Sequence, residues 1–150
     1  MDKTSFRKFL EKFDINQENL DKILDNKEIK KIKSNYFLID KDKVSILNEN
    51  QVFTDTLIYI QLQKLLPSKY LLKLIFENTS NKCELTNQKQ VDNFLFFKDL
   101  TVKATKTRNL KNGKYHIVVF ENEILGICEF KKEDKYPIFN VFNLGEYLRE

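Results

Sequence analysis

Apolar residues near the start of the chain recur with the spacing of an amphipathic helix. Four of them occupy positions i, i+3, i+4 and i+7 and define one helix face: Phe6, Phe9, Leu10 and Phe13. Thr4 or Ser5 is the expected N-cap of this helix, and packing in the core is the expected use of its phenylalanine face. Residues 20–24 repeat the spacing, so a second helix is predicted there with Asn16 as its cap.

The pattern then changes to short apolar runs that are typical of β-strands. Residues 35–39 and 44–47 are predicted to be two strands, and the polar residues 40–43 between them indicate a hairpin turn. Residues 57–62 predict a further strand. The lysine-rich link at 29–32 fits either a continued helix or a break in it.

Two features divide the middle of the chain from its last third. Pro67 is expected to break any helix that begins just before it, whereas residues 70–76 fit either a buried strand or a helical turn. The polar segment 78–90 then marks a domain boundary. The chain is therefore expected to hold two domains, 1–90 and 91–150.

Two apolar runs in the last third, 117–120 and 124–130, flank a polar break and predict a β-hairpin. A charged loop at 131–135 leads to another apolar run at 137–142. We expect residues 91–150 to form a mostly β barrel with its own core, in which strand alternation buries one face. The expected buried positions are Ile117, Val119, Ile127, Val141 and Leu148.

The charge pattern adds a candidate binding surface. The chain carries a formal net charge of +4, and 32 % of its residues are charged. Residues 101–120 contain no acidic residue and five basic ones: Lys103, Lys106, Arg108, Lys111 and Lys114. Such a stretch can follow a phosphate backbone, although an ordinary solvated surface explains the pattern equally well.

Candidate catalytic chemistry is sparse. His116 is the only histidine and is expected to be structural, because no nucleophile-elbow motif accompanies it. Glu121 and Glu123 lie in a predicted turn, where solvated acids are ordinary. Cys83 and Cys128 match no zinc or redox spacing and are expected to be reduced thiols in an intracellular protein.

The sequence also lacks several motifs that would indicate catalysis or cofactor binding. The sequence has no phosphate-binding loop, dinucleotide fingerprint or zinc signature, so we expect a protein that is not an enzyme and binds no metal or cofactor. The N-terminus does not resemble a signal peptide, and no apolar run approaches the roughly 18 residues of a membrane span. Neither a membrane nor a small-molecule substrate is expected as a partner.

Three stretches of sequence resemble a known family. The closing "NLGEYLRE", with the hairpin before it, looks like the end of a PUA domain, a small RNA-binding β-barrel. The segments "NLDKILDNK" and "NYFLIDKDKVSILNEN", and the later "NFLFFKDLTVKA", are similar to the Nip-seven family of large-subunit ribosome-biogenesis factors. The resemblance implies an α+β protein, in which an N-terminal α/β pre-PUA domain packs on a C-terminal PUA-type β-barrel.

The same resemblance implies a function. It points to a 60S ribosomal subunit biogenesis factor that binds pre-rRNA and large-subunit pre-ribosomal proteins and is needed for pre-rRNA processing. Two alternatives remain: a translation-associated PUA protein of the Tma-twenty type, and an RNA-binding accessory domain of an RNA-modifying enzyme. A eukaryotic source would place the protein in the nucleus and nucleolus, and an archaeal source in the cytoplasm.

Basic residues of the C-terminal domain are the candidate RNA contacts, with one tyrosine as a candidate stacking partner. They are Lys98, Lys103, Lys106, Arg108, Lys131, Lys132, Lys135, Tyr136 and Arg149. Binding through them is expected to be weak and electrostatic, with little contribution from the N-terminal domain.

Departures from the family pattern lie among these residues. Phe97 stands where the family has a glycine, and Lys103–Ala104 stand where it has Ser-Gly, which argues against a phosphate-cradling turn there. Gly145 marks an expected tight backbone position in the tail.

Overall fold

A computed structural model of the protein describes residues 2–32, 35–42, 57–61 and 64–145. It is a mixed α+β structure, which confirms the expected class, and it contains two four-stranded sheets. The chain divides into two compact units, Met1–Asn78 and Thr79–Glu150. Each unit holds one of the sheets.

Two short helices open the first unit, α1 at Lys3–Glu11 and α2 at Gln17–Leu24. The predicted apolar face of α1 is confirmed, because Phe6, Leu10 and Phe13 are fully buried. The N-cap expected at Thr4 or Ser5 is wrong. Asp2 caps the helix, and the N–H of Ser5 donates to its carboxylate at 2.8 Å, which lowers the pKa of Asp2.

The cap at Asn16 is confirmed by its own hydrogen bond. Its side-chain oxygen accepts from the N–H of Asn19, three residues further along the chain, at 2.8 Å, as an N-cap requires. Leu20, Ile23 and Leu24 form the buried face of α2. The spacing of the apolar residues therefore predicted both helices correctly.

The first sheet is antiparallel and follows the order of the chain. Its strands are β1 at Lys27–Ile32, β2 at Asn35–Asp40, β3 at Leu57–Gln61 and β4 at Lys64–Pro67. The lysine-rich link is therefore an edge strand among the described strands, and its lysines suit such a position. Predicted strand 44–47 lies outside the described residues, and the described partners of β2 are β1 and β3.

Helix α3, Lys69–Asn78, closes the first unit. It settles the ambiguity over 70–76, because Leu71, Leu72 and Ile75 are buried at helical spacing. The hydroxyl of Ser68 accepts a hydrogen bond from the Leu71 N–H at 3.1 Å, so the helix begins directly after Pro67.

The second sheet has the order β5-β6-β7-β8. The strands are β5 at Lys82–Glu84, β6 at Tyr115–Phe120, β7 at Glu123–Phe130 and β8 at Ile138–Asn143. Strand β5 runs parallel to β6, whereas β6, β7 and β8 pair antiparallel. Because β5 belongs to this sheet, the second unit begins before the boundary at residue 90 that the sequence suggested.

The predicted core of this sheet is found at three of its five positions. Ile117, Val119 and Ile127 are buried, whereas Val141 is half-buried and Leu148 lies outside the described residues. Simple alternation fails on β6, since Val118 is buried as well. The strand lies in the middle of the sheet, and buried central strands have apolar residues on both faces.

One irregular segment, residues 99–107, hydrogen-bonds to both edges of the second sheet. It follows helix α4, Gln88–Leu95, and contains a short 3-10 helix at Val102–Ala104. At its start, Leu100 and Ile138 exchange two backbone hydrogen bonds of 2.9 and 3.0 Å. At its end, the Lys106 N–H donates to the Glu84 carbonyl at 2.8 Å. The segment therefore joins β8 to β5.

Backbone strain is found at Phe97, directly after α4. Its φ is +66°, a left-handed conformation that side chains other than glycine rarely adopt. Phe96 beside it has an ordinary φ of −93° and a side chain that is 70 % exposed. Residue 97 therefore has a backbone conformation that suits glycine, although its side chain is an aromatic ring.

We predict that Phe97→Gly is more stable than Phe97→Ala by about 1 kcal/mol, because only glycine adopts the left-handed conformation without strain. At Phe96 the order is expected to reverse, with alanine the more stable by about 0.5–1 kcal/mol. Urea unfolding midpoints of the four variants measure both differences. If alanine were also the more stable replacement at Phe97, the left-handed conformation of Phe97 would be contradicted.

Candidate nucleic-acid interface

A groove of about 770 Å³ opens on the second unit. Its walls come from the 99–107 segment and from the loops before β6 and after β7. Cations, hydroxyl groups and apolar side chains all line it: Thr86, Val102, Lys103, Thr105, Lys106, Thr107, Arg108, Leu110, Asn112, Phe130 and Lys132. The groove therefore combines four positive charges with an apolar surface.

Hydrogen bonds to backbone carbonyls fix the wall that carries three of the cations. The Thr86 N–H donates to the Ala104 carbonyl at 2.9 Å, which holds the 3-10 helix that bears Lys103. The Thr105 hydroxyl donates to the Glu84 carbonyl at 2.6 Å, directly before Lys106. Because these bonds tie the wall to the sheet, the cations start from ordered backbone positions.

The fourth cation, Lys132, comes from a different part of the chain. The Lys132 N–H donates to the side-chain oxygen of Asn112 at 2.9 Å, which links the loop after β7 to the loop before β6. Gly113 supports the same link, because its N–H donates to the Phe130 carbonyl at 2.7 Å. Lys132 thereby lines the same groove as a segment far from it in sequence.

The groove is electropositive. Within the part of the chain that the structure describes, no carboxylate lines it. The Glu84 carboxylate lies 4.0 Å from the Lys106 ammonium, and both side chains are about half exposed. Such a surface ion pair stabilises by about 1 kcal/mol or less, so an incoming anion can replace it.

Only some of the candidate RNA contacts meet in the groove. Lys103, Lys106, Arg108 and Lys132 line it. The Lys131 ammonium instead lies 3.8 Å from the ring centre of Phe139, and that of Lys135 lies 5.6 Å from the ring of Tyr136. The groove is not lined by Lys131, Lys135, Tyr136 or Lys98. Arg149 lies outside the described residues.

Seven groove residues were not singled out from the sequence, among them Thr107, Asn112 and Phe130. Thr107, Asn112 and Phe130 carry no motif, and each reaches the groove through strand pairing or loop geometry. The acid-free stretch was the one available signal, since it spans Thr107 and Asn112. Phe130 gave no such signal, because an aromatic residue at the end of a strand is ordinary.

His116 has a structural role beside the groove, as expected. It is buried, and its Nε2 accepts from the Lys111 N–H at 3.0 Å. Its Nδ1 lies 3.1 Å from the Lys114 carbonyl, so Nδ1 carries the proton and donates. Both ring nitrogens therefore hold the 111–114 loop in place.

We predict that His116→Ala destabilises the protein by about 2 kcal/mol or more, because it removes both hydrogen bonds and leaves a cavity. His116→Gln is expected to retain part of that stability, since its side-chain oxygen can accept from the Lys111 N–H. Urea unfolding followed by circular dichroism measures both. Equal loss in the two variants would assign the effect to packing alone.

The two cysteines pack in the core of the second unit. Cys83 and Cys128 are both fully buried and free. A hydrogen bond with Cys83, together with burial, raises the pKa of Cys128 well above its usual value, so this thiol stays neutral. Across the described residues, no group of three or more His, Cys, Asp or Glu side chains is arranged to hold a metal ion.

Gly145 follows β8 at the expected tight position. A Cβ there would lie 2.7 Å from the side-chain oxygen of Asn143 and 3.3 Å from the carbonyl carbon of Leu95. The prediction for this glycine is therefore confirmed, and the reason is the close approach of Gly145 to the end of α4.

The chain matches no protein-family model and no curated protein sequence. In the residues that the structure covers, none of the helices has the length and apolar character needed to cross a membrane. The groove is the feature of the described structure that best indicates a function.

Proposed function

We propose that this protein is a non-enzymatic RNA-binding assembly factor that acts on precursors of the large ribosomal subunit. The observation that carries the proposal is the groove, in which Lys103, Lys106, Arg108 and Lys132 converge. Four cations around one groove suit the phosphates of an RNA strand. Pre-rRNA and pre-ribosomal proteins are the proposed partners.

The finer fold in this proposal is a PUA-type β-barrel in the second unit. Two observations support it. The 99–107 segment connects β8 to β5, as a strand that closes a barrel would. The left-handed φ of Phe97 suits the glycine that the Nip-seven pattern has at this point.

The absence of catalysis is part of the proposal. The one histidine is a candidate acid or base by residue type, yet both nitrogens of His116 hydrogen-bond to backbone groups of the 111–114 loop. Its ring is also buried, away from solvent. A general base must reach the proton that it removes, and His116 is committed elsewhere.

Affinity purification from the native organism tests the proposal, with sequencing of the bound RNA and identification of the bound proteins. Precursors of the 60S subunit should be enriched, in the nucleolus of a eukaryote or the cytoplasm of an archaeon. Enrichment of 40S subunits would instead favour a translation-associated PUA protein of the Tma-twenty type. Enrichment of one tRNA with a modification enzyme would favour an accessory domain.

A matched variant makes this experiment specific to the groove. Arg108→Glu reverses one charge at its rim, and Lys89→Glu reverses one exposed charge on α4 outside it. Loss of precursor RNA with the first variant and retention with the second is the expected result. Equal RNA recovery with both would remove the groove as the binding site.

A further inference from the structure

Three of the side chains that line the groove are apolar, which charge-based binding alone does not require. They are Val102, Leu110 and Phe130, and the term floor refers to these three. Val102 is 52 % exposed although it lies in a segment that is hydrogen-bonded on both sides. Burying exposed apolar surface contributes about 25 cal/mol for each Å², so a ligand that covers this floor gains affinity beyond that from its charges.

Two polar side chains of the lining supply hydrogen-bond donors. The Thr107 hydroxyl oxygen accepts from the Glu84 N–H at 3.0 Å, which leaves its own proton to donate. The side-chain oxygen of Asn112 accepts from the Lys132 N–H, which leaves its NH2 group to donate. Together with the four cations, these groups suit a ligand with many acceptor atoms and a flat apolar face.

A nucleobase has both properties, and the groove has room for one. Its volume of about 770 Å³ lies in the range of sites for small organic ligands. In a duplex the bases are stacked and paired inside, so their faces cannot reach this floor. In a single strand they can be splayed out and stacked on protein side chains.

We propose that the groove holds an unpaired base of a single-stranded RNA segment against Val102, Leu110 and Phe130, while the adjoining phosphates lie on the surrounding cations. This inference rests on the proposed function and adds a preference: the site selects single-stranded, base-bearing RNA over any other polyanion of equal charge.

Three RNA probes separate base binding from charge binding. They are a uridine decamer, a decamer of the same backbone without bases, and a ten-base-pair duplex. Fluorescence anisotropy with the full chain at fixed salt measures each affinity. We expect the decamer without bases to bind about tenfold more weakly than the uridine decamer, since base stacking contributes about 1–3 kcal/mol per base. The duplex should also bind more weakly.

Two variants locate the base. Val102→Ser removes exposed apolar surface from the floor and should reduce the tenfold ratio to about threefold or less. Arg108→Ala is the control, because it should weaken both decamers equally and leave the ratio unchanged. Unfolding midpoints in urea verify that both variants fold, and Val102 is exposed enough to be replaced safely.

Failure of this inference differs from failure of the proposed function. Wild-type affinities for the two decamers within twofold of each other, or a ratio unchanged in Val102→Ser, would overturn the base site and leave RNA binding by charge in place. No measurable binding of any probe at low salt would overturn the base site and the RNA-binding function together.

Discussion

Replacing Gly126 with alanine is expected to destabilise the second unit by about 3 kcal/mol or more, one of the largest effects of any single substitution in this chain. A Cβ at this position would lie 2.8 Å from the Cα of Asn143 and 2.9 Å from the carbonyl carbon of Phe142. Both atoms belong to the backbone of β8, which cannot move aside without breaking its pairing with β7. The positive φ of Gly126, +156°, adds strain.

Gly113→Ala is the matched control. Gly113 also has a positive φ, +77°, yet nothing lies within 4 Å of the position of its Cβ. Its replacement should therefore cost only the conformational strain, about 1 kcal/mol. Thermal unfolding followed by circular dichroism measures both variants, and Gly126→Ala should lower Tm by about 10–20 °C. Similar Tm values for the two would contradict the close approach of β7 and β8.

The second large effect is on RNA affinity. Changing Lys103, Lys106, Arg108 and Lys132 together to alanine should lower the affinity for a single-stranded decamer by about two to three orders of magnitude at 0.1 M salt. Each neutralised phosphate contributes about −0.7 to the slope of log affinity against log salt. Four contacts give a slope of about −3 for the wild-type protein, and the variant should give a slope near zero.

A control with the same change in net charge tests whether the location of the cations matters. Lys89, Lys98, Lys131 and Lys135 belong to the same unit but do not line the groove. Changing these four to alanine should weaken binding by less than about fivefold and leave most of the salt slope. If the control variant loses as much affinity as the groove variant, binding depends on net charge and not on the groove.

The helices of the first unit could be predicted because their signal is local. The i, i+3, i+4, i+7 spacing from Phe6 to Phe13 defines an apolar face whatever surrounds it. The cap was missed because several residues before the helix can accept the same hydrogen bond, and the choice of Asp2 depends on where the first turn begins. Local patterns thus predict the presence of a helix better than they predict its first and last residues.

Strand β5 and the full groove could not be predicted, because both depend on contacts between distant residues. Strand β5 has three residues and pairs with β6 more than thirty positions later. The acid-free stretch identified Lys103, Lys106 and Arg108. Nothing in the sequence placed Lys132 in the same groove, since that position follows from the pairing of β6 with β7 and the loop after it.

The 99–107 segment also protects the second sheet from self-association through its edges. An unpaired sheet edge is a template for intermolecular strand pairing and aggregation. Here one segment occupies the edge of β8 through Leu100 and that of β5 through Lys106. Displacement of this segment would expose the edges of β5 and β8 together. Substitutions that disrupt its backbone hydrogen bonds should therefore reduce solubility as well as ligand binding. Natural selection on this segment therefore acts on the solubility of the protein and on its ligand binding at the same time.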